Sequence, residues 1–478
     1  MPDPTVSFPP DPRALIALAG QHRHAGRLRD AVIACDAALR IAPAYADAWL
    51  ERGFVYASGG SMARAGECYA QVLALDPDNP SAHAGLAGIA ARDGDGAAAR
   101  YHATAALAVD PLSNSATLAL ATVEHNDGNP AATCALLEPM VARLSHPEPD
   151  RSLAFTLLGD AYSRLGDYPR AHGAYVRAKA DFAAIHAQQF TARPPHRVFV
   201  AAVTDALIAY DFVGDGVGDA GLPQPGAPAR HLFLLGYPRS GNTLVENVLA
   251  SLPDVVALEE RPTLRAADRV WLAAPDGLNR LAVAKAAELA EIRGAYWRKV
   301  AEVGGEIGGR TLVDMDPLKG TRLPMIARLF PAARILITRR DPRDVVWSCF
   351  KTNFALTNPA MDFTTIESTA RHYDAMMRLI ETARERLALA FYEVRYEALV
   401  AAFDPTTQDL CRFVGLPWSA ETQRFDRTAQ SRGVTTASAG QVRRGLYDGS
   451  GQWRPYAAWL EPVLPILAPW IERFGYEA

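Results

Sequence analysis

The sequence predicts a chain in two parts, an α-helical solenoid over residues 1–183 followed by an α/β domain with a parallel sheet over residues 231–478. Two observations support this prediction. In the first part, small residues and prolines recur at intervals of 34 positions. In the second part, short apolar segments alternate with longer amphipathic ones, which is typical of strands and helices in a parallel sheet. Residues 184–230 lie between the two parts and are predicted to form a bridging helix and a linker.

The composition excludes several classes of protein. The chain has 478 residues, of which 49% are hydrophobic and 21% charged, as in ordinary globular proteins. A net charge of −4 argues against a general nucleic-acid binder. No apolar run is long enough to span a membrane, and the first residues show no signal-peptide pattern. The five cysteines are scattered without a C-x-x-C pair, so we expect reduced thiols, a cytoplasmic location and no metal site.

The first part is a repeat. Small residues let paired helices approach closely, a glycine supplies the turn between them, and a proline ends the second helix. The recurring positions are Gly26, Gly60, Gly94 and Gly128; Ala31, Ala65 and Ala99; Leu39, Leu73 and Leu107; and Pro43, Pro77 and Pro111. This pattern closely resembles the tetratricopeptide repeat, a helix–turn–helix unit of 34 residues.

Five repeat units are predicted. They cover residues 11–43, 44–77, 78–111, 112–145 and 150–183. The fourth unit has Thr133 where alanine is expected, and the insertion at 146–149 predicts a longer loop. Such units stack because one alone cannot bury its apolar face. Two interpretations stay open: the concave face binds a protein partner, or the solenoid only packs against the second part or forms a homodimer.

The second part opens with a strand, a glycine-bearing turn and a helix. Residues 232–235 are apolar, and residues 236–243 spell Gly-Tyr-Pro-Arg-Ser-Gly-Asn-Thr. Such a turn directs backbone N–H groups and a helix N-terminus at one point, which favours a bound phosphate. The spacing fits G-x-x-x-x-G-K-[ST] except at Asn242, where lysine is expected, while Arg239 supplies a cation. The loop therefore suits a phosphate-like group other than the β/γ-phosphates and Mg²⁺ of ATP.

Four more strands are predicted at 255–258, 311–313, 334–338 and 389–394, and helices at 280–303, 320–330 and 364–387. The loop and the segment 336–348, Leu-Ile-Thr-Arg-Arg-Asp-Pro-Arg-Asp-Val-Val-Trp-Ser, resemble in order the two nucleotide-binding segments of the sulfotransferases. The similarity extends over about 231–476 and is greatest to protein-tyrosine sulfotransferases and bacterial repeat-bearing sulfotransferases. It implies PAPS (3′-phosphoadenosine 5′-phosphosulfate) as sulfuryl donor and no metal.

The resemblance also implies which residues bind the donor. The guanidinium of Arg239 would contact the 5′-phosphosulfate, since its planar fork suits such an anion. Arg340 and Ser348 would hold the 3′-phosphate. The full set implied is Arg239, Ser240, Gly241, Asn242 and Thr243 in the loop, Arg340 and Ser348 in the second segment, and Tyr396 and Ser438 further along the chain.

The segment 256–261 resembles the family segment that carries the catalytic carboxylate. Its second acid, Glu260, is expected to take the proton of the acceptor hydroxyl, while Glu259 is expected to be structural.

Two positions depart from the family pattern. The family lysine before Asp316-Pro317 is replaced by Met315, so we expect Lys319 to stabilise the leaving group, or Arg239 to do so alone. A later family lysine is replaced by Gln452, and Arg443 and Arg444 are expected to supply the missing charge.

The predicted reaction is sulfuryl transfer to an acceptor hydroxyl, for example on a peptide tyrosine, a sugar or a small phenol. Two alternatives stay open. One is a small-molecule kinase of the phosphate-loop class, against which Asn242 and the lack of a second acidic metal segment count. The other is a repeat interaction protein whose enzyme half has decayed, which only Met315 and Gln452 favour.

Overall fold

The computed structural model describes residues 11–212, 227–274, 276–433, 436 and 438–477. The chain folds as two compact units, Met1–Ile185 and His186–Ala478. Most of the predicted linker, residues 213–226, lies outside the described residues. Within the described part, no helix is both long enough and apolar enough to cross a membrane.

The first unit is a helical solenoid, and each predicted repeat holds one pair of helices. The helices are α1 (Pro12–His24), α2 (Leu28–Ile41), α3 (Ala46–Ser58), α4 (Met62–Leu75), α5 (Pro80–Asp93), α6 (Gly96–Val109), α7 (Asn114–Asn126), α8 (Pro130–Arg143), α9 (Pro149–Arg164) and α10 (Tyr168–Ile185). Residues 144–148 join α8 to α9, where the sequence predicts the longer loop.

Small residues allow this close pairing. A Cβ atom on Gly53 in α3 would lie 2.4 Å from the ring of Tyr69 in α4, so only glycine fits against that ring. The exceptional Thr133 is fully buried, and its hydroxyl donates to the carbonyl of Asn129 at 3.1 Å. A threonine is therefore tolerated at the alanine position because its polar atom is satisfied within its own helix.

The second unit is an α/β domain. Its strands are β1 (Arg230–Leu235), β2 (Val255–Glu259), β3 (Thr311–Met315), β4 (Arg334–Arg339) and β5 (Ala390–Arg395). Its helices are α11 (Ala187–Ala192), α12 (His196–Ala209), α13 (Asn242–Ala250), α14 (Arg265–Trp271), α15 (Gly277–Ala282), α16 (Ala286–Gly304), α17 (Leu323–Leu329), α18 (Pro342–Lys351), α19 (Ile366–Arg386), α20 (Tyr396–Ala401), α21 (Phe403–Val414), α22 (Phe425–Ser431), α23 (Ala439–Val442), α24 (Ala457–Leu460) and α25 (Leu464–Arg473). The predicted bridging helix corresponds to α12, which packs against α19 within this unit.

The five strands form one parallel sheet in the order β2-β3-β1-β4-β5. All strands therefore end at the same edge, where open α/β sheets bind their ligands. The first residues after the strands, in chain order, are Gly236, Glu260, Asp316, Arg340 and Tyr396. Four of these five are residues that the sequence assigns to the loop, the base or the donor contacts.

One face of the sheet packs on α13 through a hydrophobic cluster of buried residues. Leu234 of β1 and Met315 of β3 contact this cluster, together with Val245 and Val248 of α13. Met315 is fully buried there. The methionine that replaces the family lysine thus belongs to the hydrophobic core.

Candidate functional site

The loop between β1 and α13 is held by hydrogen bonds within the turn and to β4. A Cβ atom on Gly236 would lie 2.4 Å from Oγ1 of Thr338, so β4 approaches too closely for any other residue. The Thr338 hydroxyl lies 2.7 Å from Ser240 Oγ and donates to Asn242 Oδ1 at 2.9 Å. Asn242 in turn donates to the carbonyl of Tyr237 at 2.8 Å. The buried side chains of Ser240 and Asn242 therefore stabilise the turn, which explains the amide at the lysine position.

Arg239 brings three distant segments together. Its Nε donates to Ser348 Oγ at 3.0 Å, its Nη1 to Ser438 Oγ at 2.5 Å, and its Nη2 to Gln441 Oε1 at 3.0 Å. Three residues that the resemblance assigns to the donor thus meet in space. Gln441 was missed because the sequence gives it no distinguishing pattern.

These segments line a partly open cavity, which we call the basic cavity; its empty volume, including the solvent at its mouth, is about 530 Å³. The residues that line it are Arg239, Gly241, Thr243, Leu244, Arg340, Ser348, Tyr396, Ser438, Gln441, Val442, Gly445, Tyr447, Gly449 and Gln452. Seven of them were named as donor contacts from the sequence.

Arg340 lies at the wall of the basic cavity and is only 7% exposed. Its Nη1 donates to the carbonyl of Arg239 at 3.1 Å, its Nη2 donates to the carbonyl of Gly449, and its guanidinium lies 4.8 Å from the ring centre of Tyr396. Its Nε is buried and has no hydrogen-bond partner within the described residues. A buried cationic donor without a partner is costly, and a bound anion would satisfy it.

The structure does not bring Arg443 and Arg444 into the basic cavity. Arg444 is exposed and lies two residues after the end of α23, and its Nε donates to the carbonyl of Gly440 in that helix at 2.9 Å. Neither arginine lines the basic cavity, whereas Gln452 does and donates to the Tyr447 hydroxyl at 2.8 Å. The expectation that these arginines replace the lost lysine is therefore corrected.

Tyr447 and Gly449 also line the basic cavity, although sequence reasoning passed over them. The carbonyl of Tyr447 accepts from the Tyr396 hydroxyl at 2.5 Å, and the same hydroxyl accepts from the N–H of Gly449 at 3.0 Å. The glycine-rich run 445–451 was the available signal, because such a run lets the backbone approach a ligand closely.

Glu260 follows β2 with a backbone φ of +39°. Among the described residues, it shares a positive φ outside glycine only with Arg239, at +69°. Such conformations cost free energy and concentrate at functional sites. The backbone N–H of Glu260 is fixed on the carbonyl of Met315 at 3.0 Å.

The Glu260 side chain is exposed, yet its acidity is shifted. Desolvation by surrounding protein atoms, together with the negative charges of Asp316 and Glu259, raises the pKa of its carboxyl to about 7, against a lowering effect of Lys319. A carboxyl that is accessible and titrates near neutral pH is suited to act as a general base.

Glu259 connects this segment to the loop. Its Oε1 accepts from the backbone N–H of Thr436 at 2.9 Å, and the Thr436 hydroxyl lies 3.0 Å from Thr243 Oγ1. Behind it, the fully buried Glu246 of α13 accepts from Arg432 at 3.1 Å. Burial raises the pKa of Glu246 to about 7 although Arg432 lowers it. Glu259 is thus hydrogen-bonded within the fold, and its structural role stays a prediction.

Lys319 does not reach the basic cavity. It begins a 3₁₀ turn, Lys319–Arg322, and its ammonium forms an ion pair with Asp314, both side chains being buried. The other Asp314 oxygen accepts from Thr263 at 2.7 Å and from Tyr296 at 2.9 Å. The ammonium is thus committed to a buried carboxylate, which corrects the expectation that Lys319 contacts the donor. It is not a solvated surface lysine either.

A phosphate-type loop and buried arginines at the carboxyl edge of a parallel sheet define a phosphate-loop-like α/β domain, here following a helical repeat unit. Residues 231–420 match the sulfotransferase family, and residues 46–79 match the tetratricopeptide repeat. The chain therefore contains a sulfotransferase-family domain and tetratricopeptide repeats.

Known proteins resemble each part. A protein of Aquifex aeolicus is 28% identical over 254 residues, which are 50% of this chain and 32% of that protein, so the chain spans about a third of its length. Protein-tyrosine sulfotransferase 1 of Danio rerio is 22% identical over 260 residues, 52% of this chain and 72% of that enzyme. The crystal structure of MamA protein matches 37% of this chain and 94% of its own, with 19% identity and a TM-score of 0.29.

Proposed function

We propose that this protein is a PAPS-dependent sulfotransferase that moves a sulfuryl group to an acceptor hydroxyl. The observation that carries the proposal is the basic cavity, where Arg239 is held by two serines and Arg340 keeps a buried Nε without a partner within the described residues. Two fixed guanidinium groups suit a ligand with two separate anionic groups, as PAPS has.

The donor contacts follow from this arrangement. Arg239 would hold the 5′-phosphosulfate with Gly241 and Thr243, and Arg340 would hold the 3′-phosphate with Ser348. The apolar parts of the basic cavity would enclose the purine; they are Leu244, Val442 and the rings of Tyr396 and Tyr447. Ser240 and Asn242 would contribute only by shaping the turn.

The donor supplies an activated sulfuryl group. The carboxylate of Glu260 accepts the proton of the acceptor hydroxyl while the acceptor oxygen bonds to sulfur. The bridging S–O bond breaks, and its electron pair stays on the departing 5′-phosphate. Arg239 stabilises the charge that develops there, and since Lys319 is paired with Asp314, it does so without that lysine.

A peptide tyrosine is the proposed acceptor, and the tetratricopeptide repeats are proposed to bind the protein that carries it. The likeness to the Danio rerio enzyme supports the first point. The second rests on the general use of solenoid surfaces for binding proteins.

Calorimetry with adenosine 3′,5′-bisphosphate tests the donor, with ADP plus Mg²⁺ as the comparison ligand. We expect binding of the bisphosphate alone, followed by transfer of label from [³⁵S]PAPS to a tyrosine peptide or another hydroxyl acceptor. Tighter binding of ADP–Mg²⁺ with phosphoryl transfer from ATP would establish a kinase instead. Binding of neither nucleotide would identify an enzyme half that has lost its activity.

A further inference from the structure

The side chain of Tyr237, within the loop, is only 1% exposed and ends on two histidines. Its hydroxyl lies 2.7 Å from His372 Nδ1. The other ring nitrogen of His372 lies 2.8 Å from His196 Nδ1. A continuous chain of hydrogen bonds therefore runs from the loop through α19 to the first turn of α12.

Both histidines are buried, with exposed fractions of 5% for His196 and 0% for His372. Burial, reinforced by neighbouring positive charge, lowers the pKa of His196 to about 4 and that of His372 well below its usual value. Both rings are therefore neutral near pH 7. A neutral imidazole donates from one nitrogen and accepts at the other, as this chain requires.

The His196 end of this series of hydrogen bonds is fixed to the same unit. The residue after His196, Arg197, donates its backbone N–H to Asp362 Oδ2 at 3.2 Å, and its guanidinium forms an ion pair with the same carboxylate. Asp362 is fully buried in the turn before α19. The first turn of α12 therefore has a fixed position relative to His372.

Tyr237 is the residue on which the loop is built. Its carbonyl accepts from Ser240 Oγ at 2.6 Å and from Asn242 Nδ2 at 2.8 Å. Arg239 lies two residues further on, in the strained conformation that these bonds enclose. A shift of the Tyr237 ring would thus be transmitted to the backbone of Arg239.

We propose that His196 and His372 are positioning residues of the donor site, which hold Tyr237 and through it Arg239 in place. The inference rests on the proposed function. Under this proposal α12 contributes to donor binding, although it lies outside the segment that matches the sulfotransferase family. The sequence had assigned this helix only to a bridge.

The test measures the dissociation constant of adenosine 3′,5′-bisphosphate, the KM of the acceptor and the melting temperature in the full chain. We expect Tyr237→Phe and His196→Ala each to weaken bisphosphate binding about tenfold or more, with the acceptor KM changed less than threefold. The matched control is His146→Ala, an exposed histidine in the first unit, which should change neither constant.

A triple variant, His196→Phe with Tyr237→Phe and His372→Leu, replaces all three hydrogen-bonding side chains with apolar ones. None of the three side chains is then left as a buried polar group without its partner. If the melting temperature recovers while binding stays weak, the positioning role is supported, even where a single variant fails to fold. If bisphosphate binding recovers together with stability, or if the single variants bind as tightly as the parent, the positioning role is overturned. The proposed function is not affected by either result. A parent chain that binds no bisphosphate overturns the proposed function, and this inference with it.

Discussion

Two cations at the same edge of the sheet have different surroundings. Arg340 follows β4; it contacts two carbonyl oxygens and an aromatic ring, and its Nη2 lies 3.7 Å from the buried carboxylate of Asp344. Its buried Nε has no partner within the described residues. Lys319 follows β3 by four residues, and its ammonium is paired with the buried Asp314. Both cations thus lie beside a buried carboxylate, but Arg340 also keeps an unused donor that an incoming anion can occupy.

The comparison shows that a position at the ligand-binding edge does not by itself give a cation a role in binding. Its fixed partners decide that role. The two charges of a buried ion pair largely neutralise each other and leave little attraction for a ligand, whereas a buried guanidinium with an unused donor gains a charge-assisted bond when an anion arrives. Substitutions at Arg239, Lys319 and Gln452 test this distinction, and substitutions at Glu260 test the proposed base at the same edge.

The largest effect is expected for Arg239→Met. The variant removes contacts to the phosphosulfate that are each worth roughly 1.5–3 kcal/mol, and with them the charge that stabilises the leaving group. We expect kcat/KM for the donor to fall about 10⁴-fold and bisphosphate binding to weaken by about 10²-fold, measured by kinetics and calorimetry. Arg298→Met, at an exposed position on α16, is the matched control. Unchanged bisphosphate affinity in Arg239→Met would contradict the assignment.

Glu260→Gln should lower kcat by about 10³-fold, since loss of a general base typically costs 10²–10⁴. Bisphosphate affinity should stay close to that of the parent. The base works only when ionised, and the pKa of Glu260 in the free protein is raised to about 7, so parental kcat/KM should rise with pH through about 7 and then level off. The variant should lose this dependence.

Glu259→Gln is the control for this assignment. It keeps an oxygen that can accept from Thr436, so we expect less than a tenfold loss. A larger loss than in Glu260→Gln would mean that the neighbouring acid is the base.

Lys319→Met should affect stability more than chemistry. Removing one partner of a buried ion pair leaves a buried charge and costs about 3–5 kcal/mol, so the melting temperature should fall clearly. The kcat of the folded variant should stay within about fivefold of the parent, and Asp314→Asn in the same chain should restore part of the stability. A fall in kcat of about 10²-fold at unchanged stability would instead place Lys319 on the donor.

Returning a lysine to position 315 should not restore the stability that Lys319→Met loses. Met315 is fully buried in the hydrophobic cluster that includes Val245 and Val248 of α13, so Met315→Lys would place an ammonium among apolar side chains. Recovery of the melting temperature in the double variant would contradict this position of residue 315.

The sequence was sufficient for the order of elements and for the loop, because glycine spacing, apolar runs and the 34-residue period are local patterns. It could not show which face of the sheet each side chain of β3 points to. All five residues of this strand are buried, so no alternation of apolar and polar residues shows which side Asp314 and Met315 occupy. Partners far apart in sequence were equally hidden, as with Gln441 for Arg239 and His196 for Tyr237, because only the tertiary fold brings them together.

The smallest effect is expected for Gln452→Lys, which returns a cation to the basic cavity at the position of the family lysine. Gln452 lines the basic cavity and is held by Tyr447, while Lys351 Nζ lies 3.4 Å from its Oε1. A new ammonium there adds attraction for a bisphosphate, but it loses one hydrogen bond and faces the charge of Lys351. We therefore expect only about threefold tighter binding, measured by calorimetry. The gain should shrink as salt rises from low to physiological ionic strength, because the site is open and the interaction is screened.

Gln452→Met, of similar length and uncharged, separates charge from shape and should bind no more tightly than the parent. Weaker binding in Gln452→Lys than in Gln452→Met would show that Lys351 already provides the cation and that a second one only repels it.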